Sequence, residues 1–132
     1  MPLHPLHRML LGATVTLFLG VLLSDVAYGQ SYEVQWKNFA SWLIVGGLLV
    51  GGLTLLWALI MLLRADGRSG SPVVYVLLLV ASWIFGFGNA LIHAKDAWAS
   101  MPTATVLSVI VVALAGAATW RGFVSLRAQA AS

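Results

Sequence analysis

The side chains able to bind a metal or pass a proton are few and unevenly placed: three histidines and four carboxylates in 132 residues, with no cysteine. Without cysteine there is no thiol chemistry, no disulfide and no thiolate-ligated zinc or iron–sulfur cluster. Asp25 is the most demanding of the seven. It lies near the end of an apolar run that starts at Met9. A carboxylate at the bilayer centre costs about 2.5–3.5 kcal/mol on insertion scales, so it must find water or a partner. His93 and Asn89, at the end of another apolar run, are the natural candidates. Joined to His93, Asp25 makes a polar lock at the membrane boundary. With Glu33 or Asp96 added it makes a proton relay or a small metal site, although one imidazole among carboxylates is a thin ligand set.

The second group is His4-Pro5-Leu6-His7-Arg8, just ahead of the first apolar run. Two histidines three apart share a helix face only if the turn between them is regular, and Pro5 stands against that. The group suits anionic lipid, the acidic surface of a partner, or a metal. Bis-histidine haem ligation asks for two imidazoles at one membrane depth. His7 and Asp25 are eighteen residues apart in the sequence, about 27 Å along a helix, so His4 and His7 fall at the opposite membrane face from His93. The expectation is therefore no cofactor, with haem as the alternative if His93 pairs across a homodimer or with another subunit's ligand. No nucleophile–base set, phosphate loop or charge-lined path through the apolar runs is present, so the chain does not read as an enzyme.

These residues must be held by membrane helices. The chain is 61% hydrophobic and 8% charged, with mean hydropathy +0.96, against roughly 25% charged residues in soluble domains. The net charge of +3 comes from cations lying between the apolar runs, which sets orientation and is no nucleic-acid signal. One all-α integral membrane domain over residues 1–132 is expected, with spans at about 9–28, 38–63, 73–93 and 103–124. About 20 apolar residues cross ~30 Å of hydrocarbon. The links 29–37, 64–72 and 94–102 are short, and Asp66-Gly67 and Ser69-Gly70-Ser71-Pro72 are turn chemistry. Short links give an up-down-up-down bundle of four transmembrane helices. Arg8, Arg64, Arg68, Arg121 and Arg127 face one side, and Lys37 and Lys95 the other. The excess places both termini in the cytoplasm. Arg8, an apolar stretch and Ala27-Tyr28-Gly29 also have the layout of a cleaved leader. Asp25 and Tyr28 make an unusually heavy approach to that cleavage position, so the first span is expected to be retained.

Lipid supplies no hydrophobic drive for helices to associate, so small residues and polar contacts must supply it. Tyr75, Ser82, Gly86, Asn89 and His93 share one face of the third span. Ala40, Gly47, Gly51, Thr54 and Ala58 share one face of the second, and Ser108, Ala115, Thr119 and Gly122 one face of the fourth, beside the run Ala113 to Ala118. Such seams pack the bundle or dock another subunit. Trp36, Trp42, Trp98 and Trp120 read as interfacial anchors, and Trp57 and Trp83 as deeper packing.

The stretch His4 to Tyr28, with its acidic Asp25, resembles the opening of a family of small bacterial four-span inner-membrane proteins known only as a domain of unknown function. That family begins with a His-Pro-Leu-His type motif. It is similar again at the aromatic start of span two, Asn38-Phe39-Ala40-Ser41-Trp42, and at Gly46-Gly47 and Gly51-Gly52. Asn89 resembles a family position. The tail from Thr119 to Ser132 lacks the histidine that family members often carry. Some members look fused to Rieske or cytochrome c modules, and the resemblance therefore implies a redox setting without implying redox chemistry in this chain.

The expected function is a non-catalytic accessory or scaffold subunit of a larger inner-membrane assembly that moves electrons, docked through small-residue helix faces. Its partners are the lipid bilayer and other membrane subunits, or a second copy. The alternatives are a haem- or metal-binding redox carrier using His93, His4 or His7, and a small transporter or quinone-binding module around Ser82, Asn89 and Asp25.

Overall fold

A computed structural model describes residues 4–64, 70–95 and 98–131, with the side chains of 70–72, 98 and 125–131 left aside. Asp66, Gly67, Arg68, Ser69 and Asp96, and the side chains of Pro72, Trp98 and Arg127, lie outside the described residues. The chain forms α1 (Pro5–Ser31), α2 (Val34–Arg64), α3 (Gly70–His93), a short 3₁₀ turn (Trp98–Ser100) and α4 (Thr103–Ala131). Each of the four helices is long and apolar enough to cross a bilayer. Among the described residues there is no strand. The protein is an all-α, multi-pass membrane protein.

Several helix ends differ from expectation: α3 opens at Gly70, inside the expected turn, and α4 runs on to Ala131. Pro5 opens α1 instead of disturbing it. A first-turn residue needs no intrahelical N–H, and the His4 Nδ1 cap accepts the Leu6 N–H at 3.1 Å. The link expected over residues 29–37 shrinks to Tyr32 and Glu33. Nothing at Gly29-Gln30 breaks the helix, and Ser31 Oγ donates to the Ala27 carbonyl at 2.8 Å. The turn comes at Tyr32, left-handed with φ 59°, whose N–H closes on the Tyr28 carbonyl at 2.7 Å. Lys37 thereby moves from a link into the first turn of α2, where its side chain is buried.

Inward positions repeat at alternating steps of three and four. On α1 they are His7, Leu11, Thr14, Phe18, Val21, Asp25 and Tyr28, and on α2 Lys37, Ala40, Ile44, Gly47, Gly51, Thr54 and Ala58. Tyr75, Leu79, Ser82, Gly86, Asn89 and His93 follow the same rule on α3, and Ala104, Ser108, Val111, Ala115, Ala118 and Gly122 on α4. This is the heptad spacing of helices that interlock knobs into holes. Each helix packs against two neighbours, in the ring α1–α2–α3–α4–α1.

The glycines set how closely the ring is drawn. A Cβ on Gly47 would sit 2.8 Å from the Phe18 ring, and one on Gly86 3.2 Å from it. Phe18 of α1 thus fills a socket made by α2 and α3. At Gly51 a Cβ would lie 3.1 Å from Thr14, whose hydroxyl is 3.4 Å from that of Thr54. Trp83 covers Gly52 and donates from Nε1 to the Leu48 carbonyl at 3.0 Å. The Gly47/Gly51 seam is therefore used inside the chain, against α1, and is covered against any outside subunit. Thr119 is half-buried and donates to the Ala115 carbonyl. The inward place expected for it belongs to Ala118, one residue earlier.

Candidate functional site

At one end of the bundle each helix contributes to a single buried carboxylate. Asp25 of α1 is fully buried. Its Oδ1 accepts from Lys37 Nζ of α2 at 3.1 Å and from His93 Nε2 of α3 at 2.8 Å. Its Oδ2 accepts from Ser108 Oγ of α4 at 2.6 Å. Local helix geometry prepares each donor. Asn89 lies one turn before His93, and its carbonyl is 2.8 Å from His93 Nδ1, which fixes the ring. The Asn89 amide donates to Ser108 Oγ at 2.9 Å, leaving the serine's own hydrogen for Asp25. Lys37 runs inward over the Tyr28 ring, 5.3 Å from its centroid, and closes the knot from outside. An ammonium, an imidazole and a hydroxyl thus compensate a carboxylate that would be prohibitive alone at this depth.

The arrangement holds helices together better than it carries out a reaction. Ser108 and His93 both hang on Asp25 and no bond joins them, so the three do not line up as a serine–imidazole–carboxylate relay. Both His93 nitrogens are engaged within the bundle, by the Asn89 carbonyl and the Asp25 carboxylate. Glu33 is exposed and takes no part in the knot. Among the described residues no group of three or more His, Asp or Glu is placed to hold a metal ion. Asn89 Oδ1 is buried without a partner.

The opposite end carries a second, smaller cluster. His7 is fully buried, with Nε2 2.7 Å from Tyr75 Oη. Its ring meets Trp57 edge-on at 5.2 Å between centroids, and exposed His4 tilts against the same indole at 5.5 Å. His7 Nδ1 has no hydrogen-bond partner. Trp57 packs here among the imidazoles at the bundle end.

Asp25, His93 and Asn89 come together as the sequence suggested, while His4 and His7 lie at the far end from His93. Ser82 donates to the Leu79 carbonyl within its own helix. Sequence reasoning placed Ser108 on a packing seam and Lys37 among the orienting charges. The available signal for Lys37 was its position twelve residues after Asp25 across a short link, which lets the two meet in one hairpin. No comparable signal joined His7 to Tyr75.

The family described as predicted membrane protein (DUF2231) matches over residues 3–126. No curated protein and no solved structure matches the chain.

Proposed function

The chain belongs to the DUF2231 family of predicted membrane proteins, and we propose that it serves as a non-catalytic accessory or scaffold subunit of a larger bacterial inner-membrane assembly, one that moves electrons. In this reading the helices run up-down-up-down with both termini in the cytoplasm. The arginine excess at the His7 end supports that orientation. The electron-transfer setting rests on the resemblance to chains joined to Rieske or cytochrome c modules.

The observation that carries the reading is where small residues are left uncovered. α2 and α3 turn Leu49, Leu53, Leu56, Ile84 and Phe85 outward. The neighbouring pair α1 and α4 exposes Ala13, Thr16, Ala113 and Ala117 among larger outward residues such as Leu23 and Val109, and a Cβ on Gly12 or Gly116, like one on Gly88 of α3, would meet nothing within 4 Å. These residues lie at matching depth, because Leu11 packs with Ala118 and Phe18 with Val111 and Ala115. Close approach between helices in lipid needs such a surface. With the polar groups of the knot turned inward, docking through the α1/α4 face is what the outside of the bundle offers.

The test is purification of the tagged full chain from native membranes in mild detergent, read by mass spectrometry. Stoichiometric recovery with cofactor-bearing membrane subunits is the expected result. Recovery of this chain alone overturns the reading.

A further inference from the structure

Arg8, Arg64 and Arg121 come from three different helices, and all three are exposed. They share one end of the bundle. Leu11, Ala58, Tyr75 and Ala118 pack in one cluster, and each arginine lies within about two turns beyond a member of it. Both salt bridges among the described residues belong to Asp25, so none of the three has a carboxylate partner there. The other end is different. Lys37 is turned inward onto Asp25, and exposed Lys95 stands opposite the exposed carboxylate Glu33 in sign.

Each arginine also has an apolar neighbour that is far out of the bundle: Met9 is 70% exposed, Leu63 80% and Trp120 69%, among the most exposed large hydrophobic side chains of the molecule. A cation beside a projecting apolar side chain, repeated on three helices at one end of the bundle, matches a ligand with a phosphate head and a hydrocarbon tail. We propose that this end of the bundle binds anionic phospholipid headgroups, with Arg8, Arg64 and Arg121 on the phosphates and Met9, Leu63 and Trp120 against the upper acyl chain. Guanidinium suits the task because its planar fork meets phosphate oxygens in pairs. A free phosphate would use the arginines without the apolar neighbours. This inference stands independently of the accessory-subunit reading.

A basic residue at an anionic surface strengthens binding roughly fivefold, so three together give on the order of a hundredfold preference. The experiment is native mass spectrometry of the delipidated full chain, titrated with phosphatidylglycerol and phosphatidylcholine of identical acyl chains. Retention of phosphatidylglycerol well above phosphatidylcholine is expected, with that preference lost in the triple variant R8Q/R64Q/R121Q and kept in K95Q. If the glutamine variant does not insert, R8K/R64K/R121K keeps the charge and is expected to bind more weakly than the natural chain while still preferring phosphatidylglycerol. Equal retention of the two lipids, an unchanged preference in the glutamine variant, or an equal loss in K95Q overturns the proposal. Displacement of phosphatidylglycerol by inorganic phosphate at similar concentration would assign the site to a free anion and overturn it as well.

Discussion

Asp25 receives donors from three other helices, and the effect of removing any member depends on which charge is stranded. Asp25→Ala leaves Lys37 and His93 facing each other in a buried site with no counter-charge. Breaking a buried pair in this way costs about 3–5 kcal/mol. Lys37→Met is milder, because Asp25 keeps His93 at 2.8 Å and Ser108 at 2.6 Å. The double variant Asp25→Ala/Lys37→Met removes the stranded ammonium and is expected to recover part of the loss, a coupling that a double-mutant cycle isolates. Thermal unfolding in detergent reads all three. A chain with Asp25→Ala that melts with the natural one would show that the knot does not hold the bundle. Ser108→Ala takes away one donor and strands Asn89 Nδ2, and it should fall between the other single changes.

At the scale of the helices, glycine positions separate into those that accept a neighbour and those that face open space. Gly47→Ala and Gly86→Ala push on the Phe18 ring from two sides, at 2.8 and 3.2 Å. Overpacking of this kind costs about 1–3 kcal/mol, and Phe18→Leu should relieve part of it. Gly88→Ala and Gly116→Ala meet nothing within 4 Å. They should leave stability unchanged or raise it by up to ~1 kcal/mol through helix propensity. If all four changes melt alike, the socket has no energetic meaning. These faces were legible in the sequence because small and polar residues recur at steps of three and four in otherwise uniform apolar runs. The seam of α2 could be read from Ala40 to Ala58 for that reason. On α4 the composition is small nearly all round, from Ala113 to Ala118, so Thr119 was placed inward and Ala118 missed. Lys37 was hidden for a different reason. A lysine near the end of a span ordinarily reaches outward to the headgroups, and only the two-residue turn at Tyr32 and Glu33 brings its helix far enough round to reach Asp25. His7 and Tyr75, 68 residues apart, meet through the packing of whole helices, which no local pattern encodes.

For the whole molecule, the proposed docking turns on whether the α1/α4 side of the ring meets protein or, like the rest, lipid. Bulky Leu49 and Leu53 on α2 are 67% and 57% exposed, and acyl chains can accommodate them at any rotamer. Ala113 and Ala117 on α4 are exposed and the space over Gly116 is open, so in the proposed docking a partner helix can be brought close to this backbone. Filling it with Ala113→Leu and Ala117→Leu adds six methyl-sized groups to the outside of the bundle and disturbs none of the inward positions Val111, Ala115 and Ala118. The fold is therefore expected to survive with an unchanged melting temperature, while partners recovered with the tagged chain from native membranes are lost. Leu49→Ala with Leu53→Ala trims the opposite side and should leave those partners in place. The comparison separates a docking surface from general disturbance, since both variants alter two outward residues in mid-span. Partners retained by the α4 variant would show that the α1/α4 face meets only lipid, and partners lost on trimming α2 would move the interface to the bulky side.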